Sequence, residues 1–120
     1  MSEVLAATRE SFRELVASGL TLVDVWGPDC RPCLALMPHV ESIAAREQGL
    51  RVVKLEAPKA RRLCIELKVH GLPTFLLMQE GQEIARLSAP ALAPRQLDAW
   101  LARELKTHAA SDPQARREVD

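Results

Sequence analysis

The chain has 120 residues, 48% of them hydrophobic and 27% charged, and its 16 basic side chains are cancelled by 16 acidic ones. Such a balance describes one ordinary compact domain and excludes a nucleic-acid surface, because no basic run is interleaved with aromatics and there is no Tyr to stack on bases. The apolar runs fall far short of the roughly 20 residues that span a bilayer, and the start "MSEVLAATRESFREL" offers no basic region followed by an unbroken apolar one, so a cytoplasmic protein without a cleaved signal is expected.

Val4 to Ala7 predicts a short first strand, and Thr8 is placed to cap a helix whose Phe12, Leu15 and Val16 share a face until Ser18 and Gly19 end it. Leu20 to Trp26 is a nearly continuous apolar run, the pattern of a strand covered on both sides, interrupted only by Asp24. From Cys30 to Gln48, the residues Cys33, Met37, Val40 and Ala44 recur at helical spacing. Pro32 is tolerated in the first turn, Pro38 is expected to bend this helix, and Gly49 is expected to cap its end.

Leu50 to Leu55 predicts another strand, and Ala60, Leu63, Cys64 and Leu67 trace one face of a short helix opened near Pro58. Thr74 to Met78 and Glu83 to Leu87 predict a hairpin turning at Gly81, and Pro94 opens a last helix with a buried stripe of Leu97, Trp100, Leu101 and Leu105. Residues 1–106 are expected to form the domain, and the polar stretch 107–120 to be disordered. Strands alternating with helices, then a hairpin and a helix, give an α/β fold: a central mixed sheet of four to five strands with helices on both faces.

The chemistry concentrates in "VDVWGPDCRPCLALMPHV", where two cysteines stand three positions apart as a strand gives way to a helix. In a reducing compartment such a pair is more often catalytic or metal-binding than a structural staple. His39 and His70 invite a zinc site with the three cysteines, but they do not form the two compact ligand pairs that structural zinc uses, so no metal is expected. Cys64 lies on the buried stripe of its helix and is expected to serve packing.

The ordered set Asp24, Trp26, Cys30, Cys33, Pro38, Pro73 and Gly81, carried by "LVDVW", "CRPC", "GLPTF" and "QEGQ", resembles the thioredoxin family over residues 3 to 105. The resemblance implies the thioredoxin fold and a protein-disulfide oxidoreductase in which Cys30 attacks and Cys33 resolves. It further implies a cis peptide bond before Pro73, a substrate groove formed by Trp26, Leu72 and Pro73, and Lys54 as the partner of Asp24. Protein disulfides would be the substrates, an NADPH-dependent flavoprotein reductase the electron source, and a monomer without a tightly bound cofactor the working form.

These residue types suit that chemistry. Disulfide exchange needs a thiolate, and an ordinary cysteine is only a few per cent ionised at neutral pH. A helix start favours an anion by about 0.3 to 1 kcal/mol through its unpaired N–H groups and dipole. A second thiol one helical turn along can displace whatever the first captures. Asp24, isolated in an apolar run, has the burial expected of a carboxyl that carries protons near neutral pH, although simple pairing with Lys54 would also explain it.

Two departures from the family pattern flank the reactive sulfur: Asp29 replaces the usual Trp and Arg31 the usual Gly. Arg31 favours the thiolate and Asp29 opposes it, so both are expected to modulate the site with an undetermined net sign. Pro90 stands where the family's groove has Gly. The rival to turnover is a thioredoxin-fold binding module that holds a partner around Asp29 and Arg31.

Overall fold

The computed structural model describes residues 3–111. Five strands, β1 (Leu5–Ala7), β2 (Leu20–Trp26), β3 (Leu50–Glu56), β4 (Thr74–Gln79) and β5 (Gln82–Ser88), lie in the order β1-β3-β2-β4-β5. The first three run parallel, while β4 and β5 are antiparallel to their neighbours. Helices α1 (Phe12–Leu15), α2 (Arg31–Arg46), α3 (Arg61–Glu66) and α4 (Pro94–Ser111) complete the chain, with a 3₁₀ turn at Ala57–Lys59.

β2 is central because its side chains are apolar on both faces. Val23 and Val25 pack with Phe12 and Leu63 on the side of α1 and α3, whereas Leu22 packs with Leu36, Val40 and Leu97 on the side of α2 and α4. Side chains alternate along a strand, so Asp24 and Trp26 share with Leu22 the face that α2 covers. Glu80 and Gly81 both adopt positive φ at the β4–β5 turn, the backbone of a two-residue hairpin loop. Arg86 on β5 pairs with Glu83 and donates to the carbonyls of Leu67 (2.6 Å) and Lys68 (2.8 Å), fastening the end of α3 to the sheet.

Several boundaries differ from those the sequence predicts. The first helix begins at Phe12 and not after Thr8, because the Thr8 and Ser11 hydroxyls each accept the other residue's backbone N–H (3.1 and 2.9 Å respectively) and hold the intervening residues in a turn. Gly49 does not cap α2; the helix stops at Arg46 with Glu47 in extended conformation, and Gly49, at φ +84°, turns the chain into β3 instead. Pro58 opens the 3₁₀ turn, and α3 starts only at Arg61. At the other end α4 continues through Ser111, past the point where the sequence loses its apolar pattern; the remainder of the expected tail lies outside the described residues.

Leu77 is fully buried in β4 between strands on both sides. Leu77→Ala is therefore expected to lower the unfolding free energy by about 3 kcal/mol, measured as a shift in the urea midpoint. A loss under about 1 kcal/mol would contradict its placement in a close-packed core.

Candidate active site

Trp26 ends β2, and four residues later the chain enters α2 with Cys30 as the N-cap, at φ −94° and ψ 101°. An N-cap side chain normally offers an oxygen to the free N–H groups of the first turn. Here sulfur does so: the Cys33 N–H donates to Cys30 Sγ at 3.2 Å. Pro32, at the second helical position, has no N–H to give, which leaves Cys33 to supply this bond. Cys30 Sγ is also bonded covalently to Cys33 Sγ, with Cα atoms 5.2 Å apart, well inside the range disulfides favour. The two sulfurs have unequal access, since Cys33 is fully buried and Cys30 is partly exposed.

Gly27 organises the loop in a way the sequence did not advertise. Its carbonyl accepts the Cys30 N–H at 3.1 Å. A β-carbon at Gly27 would lie 3.1 Å from Leu72 Cδ1 and 3.9 Å from Pro58 Cδ, so any larger residue there would press on the Leu72 side chain. The Leu72–Pro73 peptide is cis, as the family resemblance implies. Pro73 is buried and Leu72 half-buried. Thr74 and Ser88 fix the following residues: Thr74 Oγ1 donates to the Gly71 carbonyl at 2.6 Å and shares a 2.9 Å bond with Ser88 Oγ. Nothing in the sequence marks these two hydroxyls as partners, because only the hairpin register brings them together.

Asp24 is 1% exposed, and neither carboxyl oxygen has a hydrogen-bond partner among the described residues. Loss of hydration raises its pKa from 3.8 to about 7, opposed only in part by the positive charge of Lys54. Lys54 is the register neighbour of Asp24 on β3. It does not pair with it, however, within ion-pair distance. Its ammonium instead stands 5.9 Å from the centre of the Trp26 ring, a cation–π contact. The simple Asp24–Lys54 pair considered from sequence is thus not formed in this oxidised state.

Asp29 and Arg31 are exposed on either side of Cys30, and neither takes part in an ion pair among the described residues. Pro90 is exposed in the loop after β5. Cys64 is buried and free, and burial pushes its thiol pKa up, away from reactivity. A cavity of about 640 Å³ opens at the β1–β3 edge, reaching Trp26 and Lys54, but neither active-site cysteine lines it. No helix among the described residues is long and apolar enough to cross a membrane.

Comparison with known proteins agrees with this arrangement. Residues 3–103 match the family model described as Thioredoxin. A thioredoxin of Acetoanaerobium sticklandii is 43% identical over 75 residues, 62% of this chain and 71% of its own length. Another, of Peptoclostridium acidaminophilum, is 38% identical over 92 residues, 76% of this chain and 84% of its own. Among solved structures, the thioredoxin of Malassezia sympodialis superimposes with a TM-score of 0.77 at 20% identity, covering 86% of this chain and 91% of that one. Oxidised mitochondrial thioredoxin 3 of Saccharomyces cerevisiae gives 0.74 at 24%, covering 83% and 94%. With the family's sequence pattern, its fold and a Cys-x-x-Cys disulfide at the mouth of α2 all present, the chain belongs to the thioredoxin family.

Proposed function

We propose that the protein is a thiol-disulfide oxidoreductase that reduces or exchanges protein disulfides through Cys30 and Cys33. The observation that carries this reading is the disulfide itself, formed between a partly exposed N-cap sulfur and a buried one a helical turn along. In the reduced protein, the Cys30 thiolate attacks one sulfur of the substrate disulfide, and the other leaves as a thiolate that takes up a proton. Cys33 then loses its proton and attacks Cys30 Sγ, breaking the mixed disulfide and releasing the second substrate thiol. Two electrons pass to the substrate, and the enzyme is left as the Cys30–Cys33 disulfide.

Asp24 is the residue suited to take the Cys33 proton. It lies on the sheet face beneath α2, it is without partners, and a carboxyl with a pKa of about 7 exchanges protons efficiently at neutral pH. Lys54 is positioned to turn from Trp26 toward Asp24 once the carboxyl ionises. Trp26, Leu72 and Pro73 form the groove that receives the extended substrate chain, while Asp29 and Arg31 set the local charge at the sulfur. Electrons return from an NADPH-dependent thioredoxin reductase, and the protein works in the cytoplasm in electron transport and redox homeostasis. No feature of the site favours the binding module over turnover.

Insulin reduction tests the assignment. Wild type is expected to reduce many insulin disulfides per molecule, Cys30→Ser none, and Cys33→Ser to stop as a covalent mixed disulfide seen by mass. Turnover that survives Cys30→Ser would overturn it. Asp24→Asn is expected to slow release of the mixed disulfide at neutral pH by about 100-fold, the lower end of general-base contributions.

The same carboxyl makes stability depend on pH. Its folded pKa lies above its unfolded one, so the folded state binds more protons between the two values and loses stability as pH rises through that window. Relative to Asp24→Asn, the oxidised wild type is expected to lose about 4 kcal/mol between about pH 4 and pH 8. Urea unfolding at a series of pH values measures this. Parallel curves for the two proteins would show that Asp24 is not held neutral by burial.

A further inference from the structure

The chain between Pro58 and Leu72 starts and finishes against the active-site loop, because both residues contact the space beside Gly27, three positions before Cys30. Between these contacts lies α3. Its inner face gives Leu63 and Cys64 to the core, and its outer face presents Arg61, Arg62 and Ile65. Ile65 is 73% exposed, more than any other large hydrophobic side chain among the described residues.

A lone exposed isoleucine is ordinary; its neighbours are what distinguish this one. Positions 61 and 62 lie four and three residues before 65, so both arginines adjoin it on the helix surface. Most nearby charges are already matched: Lys59 pairs with Glu56 at 3.6 Å and Glu66 with Arg13 at 3.4 Å. Asp29 and Arg31 leave the loop itself with no net charge. Arg61 and Arg62 remain without a carboxylate within ion-pair distance among the described residues. Helix stability does not account for them, since basic groups in a first turn oppose the helix dipole and α3 has no acidic residue there.

We propose that the outer face of α3 docks an acidic segment of the disulfide-bearing partner, one whose carboxylates meet Arg61 and Arg62 around an apolar side chain that covers Ile65. The proposal rests on the oxidoreductase reading and names the class of substrate it prefers. Arginine's planar fork matches a carboxylate bidentately, and an apolar centre within a charged rim is the usual anatomy of a specific contact. The ends of the segment that carries α3 touch the loop leading to Cys30, so a partner chain held on α3 can extend toward that sulfur, and opposite charge speeds the encounter.

The test uses the pre-reduced protein and two disulfide peptides of one sequence, the first with Glu and Leu flanking its disulfide, the second with Gln and Ser in their place. The second-order rate constant of protein oxidation is followed by tryptophan fluorescence, and bis(2-hydroxyethyl) disulfide reports the chemistry without charge. Wild type is expected to favour the acidic peptide by about tenfold at low salt, and the preference is expected to shrink as salt screens it. R61E/R62E should reverse the preference and Ile65→Ser should reduce it, with all three proteins reacting equally with the small disulfide. Equal rates on the two peptides, or a preference that R61E/R62E leaves intact, would overturn the docking surface alone. Failure of wild type to react with the small disulfide would instead remove the oxidoreductase reading, and the docking surface with it.

Discussion

The site depends on one substitution of chemistry at a helix end: a sulfur caps α2 where an oxygen usually would. The first N–H groups of a helix have no carbonyl within the helix to meet, and something must satisfy them. Cys30 Sγ accepts the Cys33 N–H in the disulfide state. When the bond is reduced, the same position receives a thiolate, and the hydrogen bond becomes charge-assisted. The helix end therefore stabilises the reduced, anionic sulfur more than the oxidised, neutral one. Local fold and reactivity are one arrangement seen in two states.

That arrangement stands above a buried cost. Asp24 occupies a central strand between Val23 and Val25, with Phe75 and Lys54 as its register neighbours, and neither of its oxygens is hydrogen-bonded among the described residues. A carboxyl placed so is tolerated because it can remain protonated, and because the two hydrophobic layers on either side of the sheet hold the strand regardless. Lys54 tempers the cost at a distance while its ammonium rests on Trp26. The sheet thus sets a buried acid beneath α2 and leaves the partly exposed Cys30 sulfur at the start of that helix.

Much of this was legible in the residues. The apolar run of β2, the hairpin turning at Gly81 and the cysteine spacing follow from local patterns that packing reinforces. The thioredoxin-type motif carried the cis bond before Pro73, which no periodicity could reveal. What stayed hidden depends on contacts between segments distant in sequence. Gly27 matters only because Leu72 packs beside it, and Thr74 and Ser88 meet only through strand register. Lys54 was matched to Asp24 by position, but a nearby indole face competes for its ammonium, and spacing along a strand cannot weigh one against the other. The starts of α1 and α3 lie later than apolar spacing predicts because Thr8 with Ser11, and Pro58, satisfy the backbone by turns of their own.

The central claim is that the mouth of α2 turns an ordinary cysteine into a nucleophile, and its most direct measurement is the alkylation rate of the reduced protein at neutral pH, resolved by peptide mass. Cys30 is expected to react with iodoacetamide well ahead of free cysteine, while Cys33 and Cys64 lag behind it. A Cys30 rate no faster than that of free cysteine would contradict the account.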